Sequence, residues 1–511
     1  MVRPVSHPDI AVGGDDVKRP KVALVRQLNT FDVTALVVGS IIGADIYVAA
    51  AIGARLVGPA SLLIWVAAGI VAIVIALSFS HCAAIMPKVG GPYAYVKDVS
   101  GMFSAFMVGW GLFLAEWLSL AVFPVAFSTY TTALAPSLGW GHGVPLKALF
   151  IVIVFTTNIL GIRAAGKFND LLTVAKLGPL VLVVVGGLIA IGLNAGAAAS
   201  HLTPFSKGSI LAFGEAFVLI FWAYAGFELS TLPSNEIKDP QKTIPKAVVY
   251  GMLVVLIFYL ATNFVVVGTV DQQTLASSQS PLLDAGSTIF GSVSALAGAA
   301  FLIVGIGALI SILGADESGT IGTSRLSYAM SVDGFFPRSF SVLGKSGAPI
   351  VGLAIICGTA FVASVVGGLR QLISASVFLL AFAYLATSIS AYLLTKKYPE
   401  RSGALVGKKA IPAAGAAFSV LLMVLVSPTL IAVSVLMLLV GIPFYAFFSP
   451  KKEIQELREA FISRDAILRR AYEQGERFLA HPWRHLIWLV YKRRQTERPF
   501  EVIPEAAPPR T

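Results

Sequence analysis

Charged side chains are scarce in this chain. Only 13% of its 511 residues are Asp, Glu, Lys or Arg, whereas 56% are hydrophobic. A water-soluble protein needs roughly 25% charged residues to cover its surface. A chain with so few charges would expose far too much apolar area to water. The composition therefore excludes an ordinary soluble enzyme or binding domain, and it predicts a protein whose solvent is the lipid bilayer.

Residues that commonly carry chemistry are also few. The two cysteines, Cys82 and Cys357, lie in apolar runs, and their spacing suggests neither a disulfide framework nor a metal site. The six histidines are scattered, and the HExxH and GxSxG motifs are absent from the sequence. A filter-like repeat typical of channels is missing as well. We therefore expect no enzymatic activity, no metal and no cofactor. The first thirty residues have no apolar core, so no cleaved signal peptide is expected.

Long apolar segments are what the chain has instead. A hydrocarbon core of about 30 Å requires about 20 residues of helix. The sequence predicts about twelve such spans, at 31–56, 60–86, 101–134, 145–162, 168–194, 210–231, 245–270, 288–317, 349–366, 371–395, 409–426 and 428–448. Several are interrupted by Gly or Pro, which indicates broken helices. The expected fold is an all-α membrane protein with a transmembrane domain over 31–450.

The basic residues follow this topology. The net charge of +11 could suggest a nucleic-acid partner, but the distribution of the 38 Lys and Arg residues argues against one. With the N-terminus placed in the cytoplasm, nearly all of them fall on the cytoplasmic side, as the positive-inside rule requires. Only Arg55, Lys147, Lys207 and Arg370 fall outside, and Lys176 lies within a span. We therefore predict a multi-pass protein of the cell membrane with both termini cytoplasmic.

Two polar segments flank the transmembrane domain, an N-terminal one over 1–30 and a basic tail over 451–511. In the tail, Trp483, Trp488 and Tyr491 stand beside the basic run 492–494. Aromatic and basic residues in this arrangement are typical of a helix at an anionic lipid surface. A solvated cytoplasmic helix that packs on the protein's own loops is the alternative.

Glycines interrupt the first and the sixth predicted span, in segments that start at Gly39 and at Phe221. Such a pair, at matching positions of two five-helix halves, indicates an inverted-repeat transporter. An unwound turn at membrane depth exposes backbone N–H and C=O groups, and a polar substrate can bind them. Either glycine cluster alone could instead serve close helix packing.

Four stretches carry a resemblance to a known family. They are 39–43 followed by Ile46 and Tyr47, 87–95 with Gly109 and Trp110, 236–240 with 244–246, and 324–330 with Asp333, Gly334 and Pro337. In this order, over about 30–400, they resemble the signatures of the amino acid–polyamine–organocation superfamily of permeases.

The resemblance implies a fold and a function. The fold would have five-plus-five inverted repeats, the first over about 31–194 and the second over about 210–395, with two further helices over about 409–448. The function would be secondary active transport of amino acids or related organic amines by alternating access, coupled to protons. An amine or polyamine exchanger, a sodium symporter and a non-transporting sensor with a permease fold stay open as alternatives.

The resemblance also implies a substrate site at the two interrupted segments. In such permeases the first turn receives the substrate's carboxylate on backbone N–H groups, and the second receives its amine on carbonyl groups. By position, the first turn holds Ser40, Ile41, Gly43 and Ala44, and the second holds Phe221, Ala223, Tyr224 and Gly226. For Phe221 and Tyr224, simple packing is an equal alternative.

Asp45 and His81 depart from the family pattern. Asp45 stands where the family usually has a third glycine, so it could cap a half-helix that starts near Ile46. Alternatively, it binds a cationic group of the substrate or a proton, because an ionisable residue at membrane depth is costly to retain. His81 replaces a residue that is often acidic in the family, and we expect a structural role for it.

Three further ionisable residues are predicted within spans. Lys176 resembles the helix-five lysine that some proton-coupled members place where sodium-coupled relatives hold a cation; snorkelling to the inner face is the alternative. Glu116 and Glu228 are expected to shape the cavity electrostatically and to take part in proton coupling, or to pair with helix ends. The number of acidic groups favours a cationic or zwitterionic substrate over an anion.

Overall fold

The described part of the chain is built from helices joined by short connections. The computed structural model describes residues 29–43, 45–87, 91–160, 162–228, 237–291, 294–403 and 405–449, with their side chains except at 36, 162–174 and 294–297. Ala44, most of the predicted N-terminal segment 1–30 and the predicted tail 451–511 lie outside the described residues. Those predictions therefore stay predictions.

The helices follow in this order: α1 Thr30–Ile41, α2 Asp45–Val57, α3 Ser61–Ile85, α4 Gly91–Leu134, α5 Val144–Ile159, α6 Ile162–Leu193, α7 Ala195–His201, α8 Ile210–Phe221, α9 Pro240–Thr269, α10 Gln272–Ser277, α11 Pro281–Phe290, α12 Ser294–Val332, α13 Ile350–Val366, α14 Leu369–Lys397, α15 Pro399–Ser402, α16 Ala410–Leu425 and α17 Pro428–Phe448.

The described residues contain eight helical stretches that are long and apolar enough to cross a membrane, the first of which takes in both α2 and α3. The shorter helices α1, α8, α13 and α16 are apolar too. This arrangement confirms the predicted all-α membrane protein. The total of twelve spans stays a prediction.

Two helices extend well beyond their predicted spans. The predicted eighth span ends near 317, but α12 continues to Val332. With 39 residues, α12 is roughly 58 Å long at 1.5 Å per residue, so it is longer than the hydrocarbon core is thick. Similarly, α4 begins at Gly91 rather than near 101, and its backbone turns at Gly101, where φ is +82°.

The first and sixth spans are both interrupted. Between α1 and α2 the chain leaves the helical path after Ile41 and resumes it at Asp45. At the end of α8 a 3-10 turn over Trp222–Tyr224 leads into a turn at Gly226, whose φ of +111° favours glycine. A Cβ atom at Gly226 would lie 2.7 Å from the carbonyl oxygen of Ser40, so the two breaks are in direct contact.

Other helices close around this contact. A Cβ atom at Gly43 would lie 2.5 Å from the Cβ atom of Ala315, so α12 packs directly on the first break. Helix α9 packs along α1, and α14 packs along α4. The two breaks are therefore enclosed within the bundle, where their exposed backbone groups require partners from the protein or from a solute.

Candidate functional site

A small cavity lies between the two helix breaks. Its volume is about 50 Å³, and a cavity needs about 10–15 Å³ to hold one water molecule. It is lined by Ser40, Asp45, Glu116, Ser119, Leu120, Phe123, Trp222, Ala225, Gly226, Glu228, Ala315, Gly319 and Leu380. The cavity has room for a few water molecules in this conformation, so it must widen to admit an organic solute.

Three carboxyl groups reach this cavity, those of Asp45, Glu116 and Glu228. Asp45 is 6% exposed and Glu228 is 4% exposed. Among the described residues that line the cavity, none is Lys, Arg or His. The rest of the lining is small or apolar apart from Ser40 and Ser119 and the indole N–H of Trp222. The lining therefore favours a positively charged group over a negative one.

Asp45 is the first residue of α2, and its side chain lines the cavity. The first N–H groups of a helix have no partner within the helix, and the helix dipole favours a negative charge there. Lys176 is the basic residue whose charge interacts with Asp45. The anion-binding end of α2 thus already carries a carboxyl group of the protein.

Lys176 is 1% exposed, and its ammonium group donates a hydrogen bond to the carbonyl oxygen of Gly39 at 2.7 Å. Two hydroxyl groups donate hydrogen bonds to two further carbonyl oxygens of the break. The hydroxyl of Tyr259 donates to Ile41 at 3.1 Å, and that of Ser311 donates to Gly43 at 3.2 Å. Helices α6, α9 and α12 therefore each satisfy one carbonyl group that the break leaves open.

The second break is held by a carboxylate. One oxygen of Glu228 accepts the backbone N–H of Gly226 at 3.0 Å and the hydroxyl of Tyr384 at 3.1 Å. The carboxyl groups of Glu228 and Glu116 are also hydrogen-bonded to each other. A hydrogen bond between two carboxyl groups requires a proton on one of them, because ionised carboxylates only accept. The pair can therefore hold one proton between its two carboxyl groups beside the cavity.

The predicted substrate residues divide into two groups. Ser40, Asp45 and Gly226 line the cavity. Five others are buried around it without lining it: Ile41, Gly43, Phe221, Ala223 and Tyr224. Ala44 lies outside the described residues. The structure thus brings together one polar residue of the first break, the aspartate at its end and the glycine of the second break.

The buried aromatic residues of the second break make packing contacts. Tyr224 donates its hydroxyl to the carbonyl oxygen of Trp65 at 2.9 Å. The ring of Phe221 lies edge-on to that of Tyr384, with centroids 6.3 Å apart. His81 is buried in α3 and is not among the lining residues. These side chains pack around the residues that line the cavity and do not line it themselves.

Sequence reasoning did not single out eight of the lining residues. Ser119, Leu120 and Phe123 follow Glu116 by three, four and seven positions, so helical periodicity placed them on the same face of α4. Ala315 and Gly319 are likewise one turn apart on α12, and Trp222 and Ala225 belong to the glycine-interrupted segment itself. For Leu380 no signal in the sequence indicated a role.

Comparison with known proteins agrees with this architecture. The model of the amino acid permease family matches residues 28–461. The chain belongs to the amino acid permease family. It is 26% identical to the branched-chain amino acid permease BcaP of Bacillus subtilis, over 84% of this chain and 94% of the relative. It is 24% identical to the serine/threonine exchanger SteT of the same organism, over 84% of this chain and 98% of the relative.

A further similar protein is the methylthioribose transporter of Bacillus subtilis, which is 27% identical over 74% of this chain and 83% of the relative. The family and these relatives are transporters rather than enzymes. This permease is therefore a multi-pass membrane protein that transports amino acids or related substrates, as the sequence predicted.

Proposed function

We propose that this permease is a secondary active transporter for amino acids or related organic amines, coupled to protons and working by alternating access. Its transmembrane domain, 31–450, would consist of two inverted repeats and two additional helices in the cell membrane. Both termini would lie in the cytoplasm, where the basic tail 451–511 contacts anionic lipid. The cavity between the two breaks is the substrate site of this proposal.

The observation that carries the coupling is the position of Lys176. Its ammonium group holds the Gly39 carbonyl at the first break while its charge balances that of Asp45 at the cavity wall. A neutral amine forms a weaker hydrogen bond than an ammonium group, and it leaves Asp45 without a counter-charge. Loss of the proton therefore loosens α6 from α1 and changes the charge of the cavity, so protonation and substrate binding are linked.

The pair formed by Glu116 and Glu228 supplies a second link. The proton that the pair shares lies beside the space that a substrate ammonium group would enter. Two neighbouring carboxylates do not readily ionise together, but a cation placed between them permits it. Binding of an ammonium group would thus release the shared proton, and departure of the substrate would restore it.

Accumulation in proteoliposomes tests the coupling. Because each substrate that binds displaces a proton, wild-type protein under an outward proton gradient should concentrate substrate without sodium, and Lys176→Met should reduce uptake to equilibration. Lys147→Met is the matched control, because Lys147 also donates to a backbone carbonyl, that of Ser364 at 2.8 Å, but does not line the cavity. The control should still accumulate substrate.

Two results would contradict the proposal in different ways. Accumulation by Lys176→Met equal to that of the wild type would remove Lys176 from the coupling mechanism. Wild-type uptake could instead require substrate on the opposite side of the membrane and be independent of the proton gradient. That result would identify an exchanger.

A further inference from the structure

We infer that this site takes a hydrophobic primary monoamine that has no carboxylate, rather than the amino acid that yields it on decarboxylation. The inference rests on the proposed function, because it names the substrate class of the same cavity. It depends on the three carboxyl groups of the cavity, on what each of them contacts and on the apolar walls between them.

The first step concerns the position where a substrate carboxylate would bind. The start of α2 is the natural place for an anion at the first break, because its N–H groups and dipole point there. In this chain Asp45 is the first residue of α2 and lines the cavity, so the protein's own carboxyl group lies at that place. A second carboxylate would have to lie beside the first, within a few ångströms, in a buried site where like charges repel strongly.

The second step is the charge of the cavity. Asp45 is balanced by Lys176, whose ammonium group is turned to the carbonyl oxygen of Gly39. Glu116 and Glu228 line the same cavity, and one proton shared between them leaves one negative charge on the pair. One substrate ammonium group neutralises that charge. A zwitterion would add a carboxylate, for which the described lining offers no Lys, Arg or His partner.

The third step concerns the rest of the ligand. Apart from its carboxyl groups and the hydroxyl groups of Ser40 and Ser119, the cavity is bounded by uncharged residues: Leu120, Phe123, Trp222, Ala225, Gly226, Ala315, Gly319 and Leu380. These side chains fit an aliphatic or aromatic body and offer nothing to a second ammonium group. A polyamine would have to place its additional charge against these walls, which is costly without a partner. A monoamine with an apolar body fits both parts of the site.

Matched pairs of ligands test this inference on the purified full-length protein. We would measure binding calorimetrically at neutral pH for leucine against 3-methylbutylamine and for phenylalanine against 2-phenylethylamine, with 1,4-diaminobutane as the diamine. We expect each monoamine to bind at least about tenfold more tightly than its parent amino acid, a factor that such binding measurements resolve easily. Binding is preferred to uptake here because neutral amines cross bilayers unaided.

Two variants identify the cause. Asp45→Asn and Asp45→Gly remove the carboxylate at the start of α2, and we expect each to raise the affinity for the amino acids and to reduce the preference for amines about tenfold or more. Asp316→Asn is the matched control, because it removes a buried carboxyl group that does not line the cavity. It should keep the wild-type preference.

The outcomes separate this inference from the proposed function. If the wild type binds the amino acids as tightly as the amines, or more tightly, the inference is wrong and amino acid transport stands. Tighter binding of the diamine than of either monoamine would also overturn it. If neither class binds, both the inference and the proposed substrate range fail. The comparison within the wild type remains decisive even if an Asp45 variant does not fold.

Discussion

The two helix breaks meet the same physical demand with opposite chemistry. At the first break, donors from three other helices, Lys176, Tyr259 and Ser311, satisfy backbone carbonyl groups. At the second break, the carboxylate of Glu228 satisfies a backbone N–H group. Backbone groups at membrane depth must be paired, and here the protein supplies a cation for one break and an anion for the other.

This difference changes what a substrate encounters in the cavity. If a substrate supplied the partners, its carboxylate would complete the first break and its amine the second. In this permease the protein itself supplies partners to three carbonyl groups at the first break and to the Gly226 N–H group at the second. A substrate in the cavity also meets the carboxyl groups of Asp45, Glu116 and Glu228. Variants that affect one break and spare the other test this comparison.

The largest effect is expected where the two breaks touch. Gly226→Ala would put a Cβ atom 2.7 Å from the Ser40 carbonyl oxygen, at a φ of +111° that costs a non-glycine residue about 1–3 kcal/mol. We expect a lower melting temperature in detergent and no measurable ligand binding. Gly178→Ala is the control, because nothing lies within 4 Å of its added Cβ atom, and it should melt like the wild type. Equal melting of Gly226→Ala and Gly178→Ala would show that the contact between the breaks is unimportant.

A smaller and more selective effect is expected at the carboxyl pair. Glu228→Gln removes the charge that accepts the Gly226 N–H and the Tyr384 hydroxyl. It also removes a charged partner of the substrate ammonium group, and a hydrogen bond to a charged group contributes about 1.5–3 kcal/mol, so amine affinity should fall roughly tenfold to hundredfold. Glu116→Gln keeps the charge on Glu228 and should reduce affinity less.

The number of protons released on binding shows whether these two variants act on the carboxyl pair or cause a general loss of structure. Calorimetry in buffers of different ionisation enthalpy measures that number. The wild type should release one proton as the ligand binds, whereas Glu116→Gln should bind with little release. Undiminished release by Glu116→Gln would mean that the shared proton is not the one displaced.

The residues of the two breaks show how far the sequence could predict this site. Glycines and their flanking motifs located both breaks, and ionisable residues in apolar spans singled out Asp45, Glu116, Lys176 and Glu228. These signals are local, because a charge or a glycine in an apolar run is conspicuous by itself. The fold class and the family followed from the same kinds of signal.

The partners of these residues could not be predicted in the same way. Tyr259, Ser311 and Tyr384 are ordinary helix residues in the sequence, and only tertiary packing brings their hydroxyl groups to the breaks. The length of α12 was missed for a related reason. The apolar run ends near Asp316 and Glu317, but both side chains are buried among other helices and lie within one continuous helix.

A modest effect is expected when a single carbonyl group at the first break loses its donor. Tyr259→Phe and Ser311→Ala each remove one hydrogen bond, which typically contributes about 0.5–1.5 kcal/mol. Each should lower the melting temperature slightly and leave the preference between amines and amino acids unchanged, because neither side chain lines the cavity. When either change is combined with Lys176→Met, the loss of stability should exceed the sum of the two separate losses, because all three side chains hold the same turn. Simple additivity would indicate that the carbonyl groups find other partners.

The smallest effect is expected one residue beyond the cavity wall. Asp316 follows Ala315, which lines the cavity, but its own side chain is 1% exposed, and no protein group in the described chain lies within hydrogen-bond distance of its Oδ1 atom. A buried ionised carboxylate without a partner is costly, and a neutral amide of similar shape costs less. Asp316→Asn should therefore melt at the wild-type temperature or above it, whereas the same change at Asp45 should alter ligand preference. A marked loss of transport in Asp316→Asn, with folding intact, would assign Asp316 a part in the proton path that the cavity carboxyl groups alone do not explain.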